Sequence, residues 1–283
     1  MVKIVESPRD LFQSLRRPVR LEDKARYLRA LVETGFQHMD AVGFVSPRFV
    51  PQLADAEEVL EYLDPPDDVE IIGLVVDADG AKQAVKTRAV STLGFSYSIS
   101  PTFLDRSQRQ TPEDALEQLE QIGEIAYKAG LDMVAYVAMA FGNPYRDAWD
   151  VDEVVSAVDL LMDAGVEQVT LADTAGVADA NLVGAVMSLA LDVHDNVEIG
   201  VRLRGGRSEM AGKVKAAYAA GCRRFDSCVA GRGALELVGD AAAPMLPTEV
   251  LIAALREAGA ELPRLRPLDG LVTATADLAK RFG

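Results

Sequence analysis

A chain of 283 residues with 49% hydrophobic content can bury a large core, which excludes extensive disorder. Its formal net charge of −15 excludes the basic surface that nucleic acid requires, and no apolar run approaches the roughly 18 residues that span a bilayer. Two cysteines, Cys222 and Cys228, and two histidines, His38 and His194, are too few for a disulfide framework or a thiolate metal cluster. The start of the chain enters a strand-like pattern without the basic and apolar regions of a signal peptide, so a cytoplasmic location is expected.

Strand-like runs are predicted at 2–6, 37–42, 69–75, 92–99, 133–140, 168–172, 198–203 and 224–229. Helix-like stretches fall between them at 21–33, 54–63, 78–86, 112–128, 151–163, 180–192 and 209–219, with two more at 248–258 and 268–280. Gly35, Gly130, Gly165 and Gly221 each stand between a helix and the next strand, where glycine can take the left-handed turn that ends a helix. Thr111-Pro112-Glu113-Asp114 reads as a helix start. Eight strands alternating with helices predict an α/β fold, a (β/α)8 barrel with additional C-terminal helices. One domain spanning 1–283 is expected, with the barrel over about 1–235 and the loop and helices after it over about 236–283.

In such a barrel, function gathers where strands end and their following loops begin. Those positions hold Arg9, Asp10, Asp40, Ser98, Ser100, Met139, Asp173, Thr174, Arg202, Arg204 and the Gly231-Arg232-Gly233 loop. Three carboxylates and three arginines on one rim must be paired if they are buried. By alternation His38 is expected to face away from Asp40, into the layer between strands and helices. His194 is expected at the surface, and Cys228 as a small buried residue. Gly205-Gly206 offers backbone amides to an anion, a signal of low specificity.

Several segments resemble the 3-hydroxy-3-methylglutaryl-CoA (HMG-CoA) lyase family of the pyruvate-carboxyltransferase-like superfamily. They are Val2-Lys3-Ile4-Val5-Glu6-Ser7-Pro8-Arg9-Asp10, Phe44-Val45-Ser46-Pro47-Arg48-Phe49-Val50-Pro51-Gln52, Ala172-Asp173-Thr174-Ala175-Gly176-Val177 and Gly221-Cys222-Arg223-Arg224-Phe225-Asp226-Ser227. Pro247-Thr248-Glu249 is similar to the start of the next family helix. The resemblance implies a carbon–carbon lyase acting on an acyl-CoA or an oxo or hydroxy acid. A divalent cation (Mg, Mn or Zn) is held in the family by an aspartate, an H-x-H pair and an asparagine. It assigns Arg9 to enolate stabilisation and Asp10 to the metal-ligand aspartate. Asp40 stands where the family has glutamate, Asp173 keeps the strand-six aspartate, and Arg16 stands where a lysine helps hold the acyl-CoA. Ser100, Thr174 and Arg232 are expected to contact substrate, and a homodimer is implied.

One place departs from this pattern. The H-x-H pair reads Arg202-Leu203-Arg204, the asparagine position is Met245, and the loop cysteine position is Leu235. Arginine has no lone pair to give a metal. Asp10 is then the only matching ligand left, and no cofactor is expected. Two guanidiniums carry the charge of a divalent ion with two neutral imidazoles, so Arg202 and Arg204 are expected to replace the ion against Asp10, Asp173 and Asp40. The competing arrangement sends one arginine to solvent along its aliphatic stem. Three functions stay open. One is a metal-independent lyase using Arg9, Asp10, Asp40, Asp173, Arg202 and Arg204. Another is a catalytically silent relative that binds an acyl-CoA, a small carboxylate or a protein partner. The third is an ordinary metal-dependent lyase with unexpected ligands.

Overall fold

The computed structural model describes residues 1–233 and 243–283. Strands β1 (Lys3–Glu6), β2 (His38–Phe44), β3 (Glu70–Val75), β4 (Thr92–Ser98), β5 (Asp132–Ala138), β6 (Gln168–Ala172), β7 (Glu198–Arg202) and β8 (Arg224–Ser227) close a parallel barrel in sequence order. Around it run α1 (Pro8–Gln13), α2 (Leu21–Thr34), α3 (Ala56–Leu63), α4 (Ala78–Thr87), α5 (Pro101–Gln108) and α6 (Pro112–Ala129). They are followed by α7 (Val151–Asp163), α8 (Ala180–Val193), α9 (Arg207–Ala219), α10 (Thr248–Glu257) and α11 (Asp269–Phe282). The chain is thus a (β/α)8 barrel with C-terminal helices. Among the described residues, no helix is long and apolar enough to cross a membrane.

Local chemistry explains the boundaries. Thr111 and Asp114 exchange side-chain-to-backbone bonds as a capping box at the start of α6, and Asp77, Asp150 and Asp179 cap α4, α7 and α8. Gly35 and Gly130 end α2 and α6 at φ 106° and 67°. Two short helices lie where no helix was expected. Pro8 and Pro101 fill the first turns of α1 and α5. The predicted last strand is shorter, because 229–231 forms a 3-10 turn with Ala230 at φ 60°. The predicted fifth strand stops at Ala138, and Met139 follows at φ 61°.

Two histidine expectations are corrected. Residues two apart on a strand share a face, so His38 belongs with Asp40, and its Nδ1 lies 2.7 Å from Glu70 Oε2 inside the barrel. Glu70 also accepts from Thr92. Lys3 reaches Glu70, Glu198 and Gln168, and Arg224 reaches Gln168 and Glu198. These side chains form a polar floor at the N-terminal ends of the strands. His194 is buried, its Nε2 2.9 Å from Asp159 Oδ1 and its Nδ1 3.0 Å from the Ala190 carbonyl.

Candidate functional site

The cluster at the opposite rim is built from α1, the middle of β2 and the end of β7. Helix α1 sets Arg9 and Asp10 over the barrel mouth, and both are buried. Arg9 grips Asp40 through two parallel bonds, Nε to Oδ1 and Nη2 to Oδ2, each 2.7 Å. Its Nη1 donates to Gln13 Oε1 at 2.9 Å, and its Nη2 lies 3.0 Å from Asp10 Oδ1. Arg202, the last residue of β7, donates through Nη2 to Asp40 Oδ2 at 2.8 Å and to Asp10 Oδ2 at 3.3 Å. Arg204, facing the same way two residues on, donates to Asp10 Oδ2 at 2.9 Å. Its Nη1 binds the carbonyls of Gly233 and Ala243. Three guanidiniums therefore converge on two carboxylates, and none of the five side chains is more than 7% exposed.

Asp173 is not part of that cluster, which corrects the expectation that the arginines would neutralise it. Its partner is Lys213, whose Nζ lies 3.1 Å from Asp173 Oδ2 and donates to the Arg204 carbonyl at 2.8 Å. The Val177 amide donates to Asp173 Oδ1 at 2.9 Å. Sequence reasoning missed Lys213, although a signal was there. It shares the face of α9 with Met210, Val214 and Ala217, all buried, so a lysine sits in an apolar helical stripe. Gln13, Tyr136 and Asp226 were missed as well. Tyr136 lays its ring 4.9 Å from the Arg202 guanidinium carbon, and Asp226 Oδ2 lies 3.8 Å from Arg202 Nη1.

The expected substrate contacts stand apart. Ser100 is buried as the N-cap of α5, accepting from the Phe103 amide and donating to Asp147. The Thr174 hydroxyl accepts from the Met139 amide at 2.9 Å. Arg16 and Arg232 are exposed. The Gly205 amide is already bound to the Pro244 carbonyl. Met245 is buried and bridges the Arg204 backbone, and Leu235 lies outside the described residues.

The rim's electrostatics follow from burial and pairing. Burial pushes the Asp10 carboxyl up, but Arg202, Arg9 and Arg204 together hold it below the ordinary carboxylate range. Burial alone would lower Arg9 and Arg202; Asp40 and Asp10 raise both instead. Arg204 goes the other way. Burial lowers it, and with Asp10 as its one carboxylate partner among the described residues it also feels repulsion from Arg202 and Arg9. Burial keeps Asp173 above its ordinary value despite Lys213.

A divalent cation does not fit this donor set. Asp10 is already gripped by guanidiniums, and Met245 offers only a thioether where an oxygen ligand would be needed. Among the described residues, no group of three or more His, Cys, Asp or Glu side chains is placed to hold a metal.

A model of the HMGL-like family matches residues 2–276. The cytoplasmic 3-hydroxy-3-methylglutaryl-CoA lyase of Danio rerio is 30% identical over 233 residues, covering 82% of this chain and 69% of its own length. The hydroxymethylglutaryl-CoA lyase of Pseudomonas mevalonii is 28% identical, covering 82% of this chain and 77% of its own. Among solved structures, an HMG-CoA lyase from Acinetobacter baumannii in complex with coenzyme A and 3-methylmalate has a TM-score of 0.90 at 28% identity. The match covers 100% of this chain and 92% of that one.

Proposed function

The chain belongs to the HMGL-like family, and from that premise we propose that it is a lyase-type relative whose divalent metal has been replaced by ion pairs, so that metal-assisted HMG-CoA cleavage is lost. One observation carries this reading: the guanidiniums of Arg9, Arg202 and Arg204 close on Asp10 and Asp40 in a buried cluster. Cleaving the carbon–carbon bond requires a base for the hydroxyl and a stabilised enolate. Arg9, the side chain assigned to the enolate, is bound to Asp40 and Gln13. A closed, internally paired rim favours a catalytically silent relative that takes an acyl-CoA or small carboxylate.

The second reading, a metal-independent lyase, is favoured by the charge count. Among the described residues, three arginines against two aspartates leave one positive charge for an anionic substrate, and Arg204 is the least compensated of the three.

Cleavage of HMG-CoA should stay at background with magnesium, with manganese and with chelator; brisk metal-stimulated turnover overturns the proposal. Chelator-insensitive cleavage of any acyl-CoA or oxo acid in the same screen would select the second reading. Combining Arg202→His, Arg204→His and Met245→Asn should restore stoichiometric divalent-ion binding. A folded triple variant that binds none would mean that the rim has been rebuilt beyond those positions.

A further inference from the structure

Between rim and floor the barrel lumen is polar, where such a lumen is ordinarily packed with branched apolar side chains. Its apolar part is small, with Val5, Ile72, Val134 and Tyr136 packed beside Leu74. Next to them stand Arg202, Arg224 and Asp226, all buried, with Thr170. Two inward glycines make room for the large members of the layer. A Cβ on Gly200 would meet Arg224 Cγ and Cδ at 2.7 Å, and one on Gly94 would meet Tyr136 Cε2 at 3.1 Å. Small residues face large polar ones across the lumen, so the layer is built for these side chains.

The layer is not satisfied by its own members. Both Asp226 oxygens, Arg202 Nε, Arg224 Nε and Nη2, and the hydroxyls of Tyr136 and Thr170 are buried without a hydrogen-bond partner among the described residues. The charged groups face each other across gaps too long for direct bonds. Arg202 Nη1 lies 3.8 Å from Asp226 Oδ2, and Arg224 Nε lies 3.8 Å from Asp226 Oδ1. One water placed about 2.8 Å from each partner spans such a gap. Buried unpartnered groups on this scale are not tolerated in a dry interior.

We propose that this layer is a built internal water site. Ordered waters join the Asp226 carboxylate to the guanidiniums of Arg202 and Arg224 and to the hydroxyls of Tyr136 and Thr170. The ligand is water rather than a small anion, because Asp226 and, above it, Asp40 set negative charge against the same arginines. The site gives Arg202 a second hold. Asp10 and Asp40 bind its Nη2 from the rim, the Tyr136 ring flanks it, and water returns Nε and Nη1 to Asp226 from below. This assignment stands apart from whether the rim turns over a substrate.

A high-resolution crystal structure of the whole chain at neutral pH, with a second crystal soaked in bromide, tests it. Expected are waters within about 3.2 Å of each Asp226 oxygen and of Arg202 Nε or Arg224 Nε, with no anomalous bromide signal in the lumen. A dry lumen with Asp226 bonded directly to the guanidiniums overturns the proposal, and so does bromide bound there. In solution, Asp226→Leu should weaken folding by about tenfold or more in equilibrium constant, because it expels water and leaves Arg202 Nε and Arg224 Nε facing an apolar side chain. A leucine variant as stable as the parent would speak for a dry layer and against the site. If that variant does not fold, Thr170→Val, which removes a single hydroxyl, gives the same decision. It should lose one water and some stability, and unchanged or raised stability counts against the proposal.

Discussion

Both mouths of the barrel are closed by charged side chains, yet the two closures work in different surroundings. On the floor, Lys3, His38, Glu70, Thr92, Gln168, Glu198 and Arg224 come from seven of the eight strands and bond in one connected network joined through Lys3. Solvent reaches part of this network: the His38 side chain is 33% exposed and that of Glu198 41%. On the rim, Arg9, Asp10, Asp40, Arg202 and Arg204 are sealed in. Water can stand in for a lost partner on the floor but not on the rim, where removing one charge strands its counterpart in a low dielectric. The same chemical device is thus replaceable at one end and indispensable at the other.

Substitutions at the two ends should separate accordingly. Arg202→Ala should have the largest effect, about 3 kcal/mol or more of unfolding free energy by chemical denaturation, since Asp40 and Asp10 both lose a buried donor. Lys213→Ala should follow at roughly 2–3 kcal/mol, because among the described residues it leaves Asp173 with backbone amides alone. His38→Gln on the floor should cost under about 1 kcal/mol. A floor variant as damaging as Arg202→Ala would erase the distinction between the two ends.

Acidity sharpens the contrast. Glu6, near the rim end of β1, is pushed up to about 8 by burial, although Thr248 and the Val229 amide donate to it. Its folded form holds a proton that the unfolded chain releases near 4.5, so stability should fall as pH rises from about 4.5 to about 8. Glu70 on the floor goes the other way. Burial raises it, but His38, Lys3, Thr92 and Arg224 outweigh burial and hold it at about 2. Its contribution is present above 4.5 and should be lost as pH falls toward about 2. Thermal melts across pH should lose their slope between 4.5 and 8 in Glu6→Gln and their acid-side slope in Glu70→Gln. Unchanged profiles would remove these two carboxylates from the account.

Much of this architecture was legible beforehand, because strand alternation and helical periodicity are properties of many residues at once. The eight strands lie within two residues of their expected bounds at every end. Helices α1 and α5 carry too little pattern to be read, because six and eight residues are too few to show a stripe. On the rim, Arg202 and Arg204 could be paired on paper, since a strand turns residues two apart to one side. The split of the cluster could not be read. Whether Asp173 meets an arginine or Lys213 depends on how α9 packs across the end of β7, a contact between distant segments. His38 and Asp40, two apart on a strand, share its inward face, and Asp226 is hidden in the sequence because Phe225 and Cys228 beside it are buried hydrophobics.

The irregularity in β2 governs more than its own pairing. Asp40 aligns with Ile72 on β3, but Val42 aligns with Gly73, so one residue is accommodated without advancing the ladder. That shift changes the strand's parity. His38 and Asp40 point inward at even positions, while beyond the shift it is Gly43, an odd position, whose missing Cβ would sit 3.4 Å from Arg9 Cδ and 2.9 Å from Leu53 Cδ1. The extra residue works as a frame shift written into a strand: it lets a carboxylate and a bare backbone face the same arginine from one segment. In an unshifted ladder Ala41 would pair with Gly73 and Val42 would take the place of Gly43 opposite Leu74, setting its branched side chain against the Arg9 stem.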